Sequence, residues 1–322
     1  MAQAVNERQA AALLAQSDRI LILCHQKPDG DTLDSGFALL YALLAMGKTA
    51  RIACPDGFPP RYCFLYPGFV PERQPDFTPS CIVAVDVADL QLLGAWAGRL
   101  AGKIDLCIDH HPSNTGYAKN TLLDASCAAT GELIWLLGET LGYSPAPAFC
   151  DAVYTAISTD TGCFCYSNTT PQTHRIAALC MENGADFSRL NRQLFETKSW
   201  KRIQVENHVF QNIQLSAQGK IAAVCLTKEA LDRLYATKDE LDNLSALPRQ
   251  IEGVCCSILL SQVGPGRFKG SVRTDAPVDA SRLCARFGGG GHARAAGCTL
   301  EGEGEDCLSR LVKAAQEELG YV

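Results

Sequence analysis

Histidine and aspartate side chains are grouped at four places in the first half of the chain, where together they could bind divalent cations. His25, Asp29 and Asp31 lie within one short polar turn. The other three places supply Asp86, then Asp109 with His110 and His111, and finally Asp160. Carboxylate oxygens mixed with imidazole nitrogens suit Mn²⁺, and less selectively Mg²⁺, Fe²⁺ or Co²⁺, whereas no thiolate joins the set to favour zinc. The pattern therefore predicts a metal site.

Each place alone has a simpler interpretation. Asp31 could cap the helix that follows it, Asp86 and Asp160 could lie in ordinary turns, and the paired histidines could lie in a surface loop. The four places together are more specific, because they supply the same class of ligand at successive junctions of one sheet. Two cations about 3.5–4 Å apart need a bridging carboxylate. Asp86 is the candidate for that bridge, since it lies between the flanking motifs in the chain.

Short continuous apolar runs precede three of these places, as expected for buried parallel strands. The predicted strands are 19–24, 81–85 and 106–108, and the predicted helices are 32–47, 130–141, 148–158 and 173–183. Strands that alternate with helices predict a mostly parallel α/β sheet with flanking helices. Ligands of such sheets bind beyond the carboxyl ends of the strands. His25, Asp86 and Asp109 all follow strand ends, which is the structural reason to group them.

The second half of the chain predicts a smaller α/β domain. Its predicted strands are 221–226, 255–261 and 267–273, and its predicted helices are 228–235 and 278–287. A polar helical segment with several arginines and lysines separates the two halves. We therefore predict a first domain over residues 1–187, a helical linker over 188–214 and a second domain over 215–322.

Four consecutive glycines and a histidine follow the last of these helices. Gly289, Gly290 and Gly291 can expose backbone N–H groups and let a phosphate approach closely, and His292 could stack on a nucleotide. Arg273, at the end of a predicted strand, is a suitable anion ligand. The simpler interpretations are a flexible hairpin for the glycines and a solvated charge for Arg273.

Composition limits the class of protein. A chain of 322 residues suggests about two domains. A net charge of −6 argues against a broad surface for long nucleic acid, although not against a short nucleotide in a local site. No apolar run reaches the roughly 18 residues of a membrane helix, and no signal peptide is recognisable, so we expect a cytoplasmic location and no membrane partner. The sixteen cysteines lie mostly in apolar runs, which predicts buried, reduced thiols.

The segments HQKPDGD, VAVD, IDHH and STDTG resemble, in this order, the four motifs of the DHH phosphoesterase superfamily. The segment GGGGHARAAG resembles the signature of the DHH-associated C-terminal domain, and the likeness spans nearly the whole chain. The two-domain layout resembles the bacterial nanoRNases. That resemblance implies hydrolysis of short oligoribonucleotides and removal of the 3'-phosphate from 3'-phosphoadenosine 5'-phosphate.

The resemblance also implies roles for the individual residues. One cation would be held by His25 and Asp29, the other by Asp31, His110 and Asp160, with Asp86 as the bridge. Asp109 would orient a histidine from outside the metal shell, and His111 would face the scissile phosphate. The nucleotide would be held by Arg273, Gly289, Gly290, Gly291 and His292. The family often has glycine where this chain has Asp34, which adds a carboxylate near the expected ligands.

Two other functions remain open at this point. The same ligand motifs would serve a phosphodiesterase that acts on cyclic di-AMP or on its linear dinucleotide product. A non-catalytic nucleotide sensor would instead be expected to lack metal ligands, and none is missing. The sequence is also compatible with a homodimer, and it specifies neither the preferred substrate length nor the direction of cleavage.

Overall fold

The computed structural model describes residues 3–66, 69, 78–241 and 244–321. The chain forms two compact units, Met1–Thr197 and Lys198–Val322. The division between them falls inside the segment 188–214 that the sequence predicts as a linker. Among the described residues, no helix is long and apolar enough to span a membrane.

The first unit contains a sheet whose paired strands all run parallel. Its strands are β1 (Gln3–Ala4), β2 (Ile20–Leu23), β3 (Ala50–Ala53), β4 (Cys81–Val85), β5 (Leu106–Asp109) and β6 (Asn120–Leu123). The order across the sheet is β1-β6-β5-β4-β2-β3, and each described pair is parallel. The predicted mostly parallel α/β sheet is confirmed.

In the part of the first unit that the structure describes, seven α-helices surround this sheet. They are α1 (Glu7–Gln16), α2 (Gly30–Ala45), α3 (Ala97–Leu100), α4 (Thr130–Thr140), α5 (Pro147–Asp160), α6 (Pro171–Glu182) and α7 (Phe187–Asn191). Shorter helical segments occupy Pro60–Leu65, Leu90–Trp96 and Arg192–Glu196.

Strand β2 shows why an unbroken apolar run becomes a central strand. Alternate side chains of a strand point to opposite faces of the sheet. Ile20 and Ile22 pack with α2 and α5 in one core, while Leu21 and Leu23 pack in a second core on the other face. Because both faces are covered, every position of the strand is apolar, and polar residues appear only where the strand ends.

The second unit is built on a mixed sheet. Its strands are β7 (Gln214–Ser216), β8 (Ile221–Leu226), β9 (Cys256–Gly264), β10 (Arg267–Thr274), β11 (Gly290–His292) and β12 (Ala295–Glu301). The order is β11-β12-β10-β9-β8-β7, with β8 and β9 parallel and the remaining pairs antiparallel. The glycine run therefore contributes a strand, β11, that the sequence patterns did not predict.

Helices cover the two faces of this mixed sheet. They are α8 (Trp200–Gln211), α9 (Lys228–Arg233), α10 (Lys238–Leu241), α11 (Ala280–Ala285) and α12 (Gly304–Glu318), with a further short helix at Leu244–Gln250. Helices α11 and α12 share one core with the inward side chains of β10 and β12. On the other face, α8 shares a core with Val224 of β8 and Leu259 of β9, so this helix of the predicted linker packs on the second unit.

Candidate metal centre

The turn after β2 directs His25 and Asp29 toward Asp86. Asp29, rather than Asp31, is the N-cap of α2, and its carboxylate accepts a hydrogen bond from the Thr32 amide at 3.2 Å. The Nδ1 atom of His25 lies 2.8 Å from the carbonyl oxygen of Gln26. The Nε2 atom therefore faces the site, 3.6 Å from Asp29 Oδ1 and 3.7 Å from Asp86 Oδ2.

Asp31 lies in the first turn of α2 and is only 1% exposed. Its Oδ2 accepts the backbone N–H of Thr130 at 2.7 Å, and its Oδ1 accepts that of Gly131 at 3.1 Å. Both donors are unsatisfied groups at the N-terminus of α4, where the helix dipole favours negative charge. The hydroxyl of Ser35 donates a further bond at 2.8 Å. This carboxylate is held rigidly by two helices.

Asp86 directly follows β4 and is buried between the histidines. Its backbone has a φ of 60°, a left-handed conformation that is uncommon outside glycine and occurs most readily at Asn and Asp. The hydroxyl of Thr130 donates to Asp86 Oδ1 at 2.8 Å. His110 Nε2 lies 3.7 Å and His111 Nδ1 lies 3.5 Å from the same oxygen. A strained backbone at such a point is characteristic of functional sites.

The two adjacent histidines after β5 have different partners. Nδ1 of His110 lies 3.1 Å from the carbonyl oxygen of Cys127, whereas Nδ1 of His111 lies 2.8 Å from Asp109 Oδ1. Asp109 is fully buried, and its Oδ2 accepts the side-chain amide of Asn114 at 2.6 Å. Asp109 therefore orients His111, while a backbone carbonyl orients His110.

The Nε2 atom of His110 is buried and has no hydrogen-bond partner among the described residues. It lies 3.7 Å from one carboxylate oxygen of each of Asp31, Asp86 and Asp160. A lone pair surrounded by carboxylates has no donor to accept from, and buried polar atoms are rarely left in this state. A cation between these atoms satisfies all of them, so the residues fit a metal ion.

Three overlapping groups of side chains have ligand atoms within 4.8 Å of one another. They are His25 with Asp29 and Asp86, Asp31 with His110 and Asp160, and Asp86 with His110 and His111. Asp160 is the last residue of α5, so strand ends and helix ends both contribute. Asp86 belongs to two of the groups. The structure thus brings together all eight side chains of the four sequence motifs.

The electrostatics of the site also fit cations. Burial, followed by repulsion from Asp86 and Asp160, raises the pKa of Asp31 well above its usual range. Burial and then repulsion from Asp29 and Asp109 do the same to the pKa of Asp86. Buried carboxylates that repel one another are costly unless cations are paired with them.

Asp34 does not join these groups. It is fully buried on α2 and accepts a hydrogen bond from the hydroxyl of Tyr66. Burial raises its pKa well above the usual range. The ring of Tyr66 in turn stacks on Phe37, which also lies on α2. Asp34 and Phe37 therefore hold Tyr66 against this helix.

In the second unit, the predicted nucleotide-binding residues lie at one end of the sheet. Ala295 pairs with both Arg273 of β10 and His292 of β11. A side chain at Gly289 would collide with the backbone of β12, and Gly291 has a φ of 146°, so packing explains both glycines. Gly290 is exposed, and a Cβ there would meet no atom within 4 Å. Gly291 is also exposed, whereas Gly289 is half-buried.

Three groups that shape the metal centre were missed by the sequence analysis. They are the Thr130 hydroxyl, the Cys127 carbonyl and the Asn114 amide. Asn114 follows the Asp-His-His triplet closely, so its position in the sequence could have indicated a contact with the triplet. The Thr130 hydroxyl and the Cys127 carbonyl belong to no recognisable sequence motif.

Comparison with known proteins identifies both halves of the chain. The model of the DHH family, N-terminal domain, matches residues 19–157, and that of the DHHA1 domain matches residues 218–320. The bifunctional oligoribonuclease and PAP phosphatase NrnA of Thermus thermophilus is 30% identical over 97% of this chain and 95% of its own. The protein of the same name from Bacillus subtilis is 26% identical over 88% of this chain and 90% of its own.

Solved structures share the fold at lower identity. An exopolyphosphatase-related protein from Bacteroides fragilis superimposes with a TM-score of 0.87 at 23% identity, over 97% of this chain and 96% of that one. RecJ of Thermus thermophilus, solved in complex with Mn²⁺, superimposes with a TM-score of 0.55 at 15% identity, over 98% of this chain and 55% of that one. At these identities the likeness establishes the fold alone.

Proposed function

This chain belongs to the DHH family, and we propose that it is a metal-dependent phosphoesterase that hydrolyses short oligoribonucleotides to mononucleotides. The proposal includes removal of the 3'-phosphate from 3'-phosphoadenosine 5'-phosphate, because the relatives from Thermus thermophilus and Bacillus subtilis carry both activities in their names. One hydrolytic centre can serve both reactions, since each breaks a phosphate ester bond. The observation that carries the proposal is the buried His110 Nε2 among three carboxylates.

The overlapping groups support the ligand roles that the resemblance implies. His25 and Asp29 would hold one divalent cation, and Asp31, His110 and Asp160 would hold the other, with Asp86 shared between them. Divalent cations bound in this way lower the pKa of water toward neutrality and offset negative charge on phosphoryl oxygens. Mn²⁺ is the proposed ion, since mixed carboxylate and imidazole ligands suit it, and Mg²⁺, Co²⁺ and Fe²⁺ are the alternatives.

His111 is proposed to contact the scissile phosphate. Its side chain is 42% exposed, whereas that of Asp109, its partner, is fully buried. The hydrogen bond that Asp109 accepts from Nδ1–H raises the pKa of His111, which favours the protonated imidazole. With Nδ1 occupied by Asp109, Nε2–H is free to donate to a phosphoryl oxygen, where a fixed donor stabilises charge that grows in the transition state.

The second unit is proposed to hold the nucleotide. The guanidinium of Arg273 suits a phosphate because its N–H groups match two oxygens at once. His292 of β11 lies across Ala295 of β12 from Arg273, and the exposed backbone of Gly290 is on the same strand as His292. Short substrates are expected, since the net charge of −6 argues against an extended nucleic-acid surface.

The test is a comparison of rates on four substrates with Mn²⁺ present. The linear dinucleotide pApA, a short oligoadenylate, 3'-phosphoadenosine 5'-phosphate and cyclic di-AMP would be supplied at equal concentration. We expect hydrolysis of the first three, with mononucleotide products. Rapid hydrolysis of cyclic di-AMP together with slow hydrolysis of the oligoadenylate would instead assign the chain as a cyclic dinucleotide phosphodiesterase.

A matched pair of carboxylate-to-amide variants controls this experiment. Asp160→Asn removes one proposed ligand, and we expect hydrolysis of all substrates to be lost. Glu139→Gln makes the same chemical change at an exposed position of α4, and we expect wild-type rates. Undiminished activity of Asp160→Asn would contradict the proposed ligand set, and binding of pApA without any hydrolysis by the wild type would favour a sensor.

A further inference from the structure

Strand β10 presents two kinds of side chain on its two faces. Phe268, Gly270 and Val272 are buried toward the core that contains α11 and α12. Lys269, Ser271 and Arg273 alternate with them and are exposed or half-buried on the opposite face. Only Arg273 of these three was expected from the sequence to bind substrate.

The neighbouring positions on the same face are small, apolar or hydroxyl-bearing. On β12 the partners of Lys269, Ser271 and Arg273 are Thr299, Gly297 and Ala295, and on β9 they are Ser261, Leu259 and Ser257. None of these six positions carries a carboxylate. Within the described part of the chain, neither Lys269 nor Arg273 forms a salt bridge with an acidic side chain. Glu301, the next position of β12 on this face, pairs with Arg267.

The lysine has no role in protecting the sheet. Exposed lysines are common on edge strands, where they prevent pairing with other chains. Strand β10, however, is an interior strand with β12 on one side and β9 on the other. Lys269 also lies outside both cores of the second unit. The exposed ammonium group of Lys269 is therefore available to a ligand.

We propose that Lys269 and Ser271 continue the nucleotide-binding surface that begins at Arg273, and that they bind the phosphodiester backbone of longer oligoribonucleotides. This inference rests on the proposed function. Residues two apart on a strand are separated by about 6.6 Å, a spacing that an extended phosphodiester chain can follow. Ser271 supplies a hydroxyl donor to one phosphate, and Lys269 supplies an ammonium group to the next.

The row has a direction, because its two ends differ. Arg273 lies across Ala295 of β12 from His292. Lys269 lies four residues farther along β10, away from that position. A substrate with its end at Arg273 reaches Lys269 only if it is long enough. Lys269 therefore selects for substrate length, and it adds little to the binding of a dinucleotide.

The experiment measures kcat/KM for pApA and for a 5'-phosphorylated tetra-adenylate in the Mn²⁺-loaded enzyme. We expect Lys269→Ala to lower the ratio of tetranucleotide to dinucleotide kcat/KM by about two- to fivefold, as for loss of one exposed ion pair. We also expect the slope of log kcat/KM against log salt for the tetranucleotide to become shallower by about 0.7, the value for one phosphate contact on a single strand.

Two further variants make the result specific. Lys313→Ala removes an exposed lysine from α12, on the opposite face of the same sheet, and we expect both the ratio and the salt slope to stay at wild-type values. The double variant Lys269→Thr with Thr299→Lys moves the ammonium group to the paired position on β12. We expect it to regain most of the lost preference for the tetranucleotide.

The outcomes separate this inference from the proposed function. If the wild type hydrolyses both substrates and Lys269→Ala changes neither the ratio nor the salt slope, the inference is overturned and the proposed function stands. If the wild type hydrolyses neither substrate, both are overturned. An equal loss in Lys313→Ala would assign the effect to net charge and would also overturn the inference.

Discussion

At the scale of single residues, the protonation of one ring decides what the site can hold. The Cys127 carbonyl can only accept a hydrogen bond, so Nδ1 of His110 must carry the proton. Nε2 then carries the lone pair, which points at three carboxylates. A neutral imidazole with this tautomer is a metal ligand, and the backbone carbonyl fixes its orientation.

We expect His110→Ala to reduce hydrolysis by at least about a hundredfold, since even loss of an outer-shell partner of a metal ligand costs 10–100-fold. We also expect the purified variant to retain fewer equivalents of Mn²⁺ after gel filtration, measured by elemental analysis. His208→Ala, on α8 of the second unit, is the matched histidine control and should keep both properties. Normal metal content in His110→Ala would contradict its place in the ligand set.

The side chains of the site could be found from sequence because each lies next to a recognisable strand or helix end. The groups that orient these side chains could not be found from the sequence. Cys127 acts through its carbonyl, which has no sequence signature, and Thr130 meets Asp31 across 99 positions of the chain. The simpler interpretation of Asp31, as the cap of α2, is wrong, because Asp29 accepts the capping bond while Asp31 reaches α4 instead.

At the scale of elements, the site depends on close contacts between helices α2, α4 and α5. A Cβ at Gly30 would collide with the side chain of Thr159, and one at Gly131 would lie 2.6 Å from Cβ of Ala156. Glycine at these positions lets the start of α2 and the start of α4 approach α5. This approach keeps the ligands at the start of α2 and the end of α5 close together.

We expect Gly30→Ala to lower the free energy of unfolding by about 1–3 kcal/mol, the usual cost of overpacking, and to reduce activity. The reason is that the added methyl group must push α2 away from Thr159 of α5. Gly98→Ala is the matched control, because a Cβ there meets no atom within 4 Å. Urea unfolding and initial rates would check both variants, and equal stability of the two would contradict the contact.

A second prediction at this scale concerns α8. Glu206 is 7% exposed, and it accepts bonds from Lys198 Nζ at 2.7 Å and Arg202 Nε at 2.6 Å. Burial acts to raise the pKa of Glu206, but the two cations outweigh burial and lower it. The stabilisation is therefore present above the unfolded-state pKa of about 4.3 and is lost as the pH falls through the folded-state value.

We expect Glu206→Gln to destabilise the protein by about 1–2 kcal/mol at pH 7, measured by urea unfolding. The difference from wild type should shrink as the pH falls below about 4.3. Glu252→Gln changes an exposed carboxylate of the same unit and should have little effect at either pH. A difference in Glu206→Gln that does not change with pH would mean that the charge of Glu206 is not what stabilises α8.

The elements themselves were largely predictable, and the exceptions have a physical cause. Continuous apolar runs identified β2, β4 and β5, because strands covered on both faces need apolar side chains at every position. The short strands β1 and β11 were not predicted. A strand of two or three residues, or one made mostly of glycine, has no hydrophobic period, so only its pairing partner defines it.

At the scale of the whole molecule, the two units differ in what stabilises them. The first unit contains the cluster of buried carboxylates, whereas the metal-ligand groups found in the described residues include none from the second unit. A cation that binds the folded first unit, and not its unfolded chain, must stabilise that unit by mass action. We expect no comparable effect of metal on the second unit, whose described residues contribute none of these groups.

We expect 100 Kd of free Mn²⁺ to stabilise the first unit by about 2.7 kcal/mol, equivalent to a rise in Tm of about 5–10 °C. Chelation should reverse the rise and abolish hydrolysis. Differential scanning calorimetry would measure it, and the His110→Ala variant should show a much smaller rise. A rise of the same size in that variant would place the stabilising cation elsewhere.

The left-handed backbone at Asp86 has a practical consequence for capturing a substrate complex. Alanine there would remove the carboxylate and also introduce a side chain that tolerates a φ of 60° poorly. Asparagine tolerates this conformation, and its side-chain oxygen can still accept the bond from Thr130. Asp86→Asn is therefore the substitution that removes charge while leaving the fold undisturbed. This variant could be crystallised in complex with an uncut oligonucleotide.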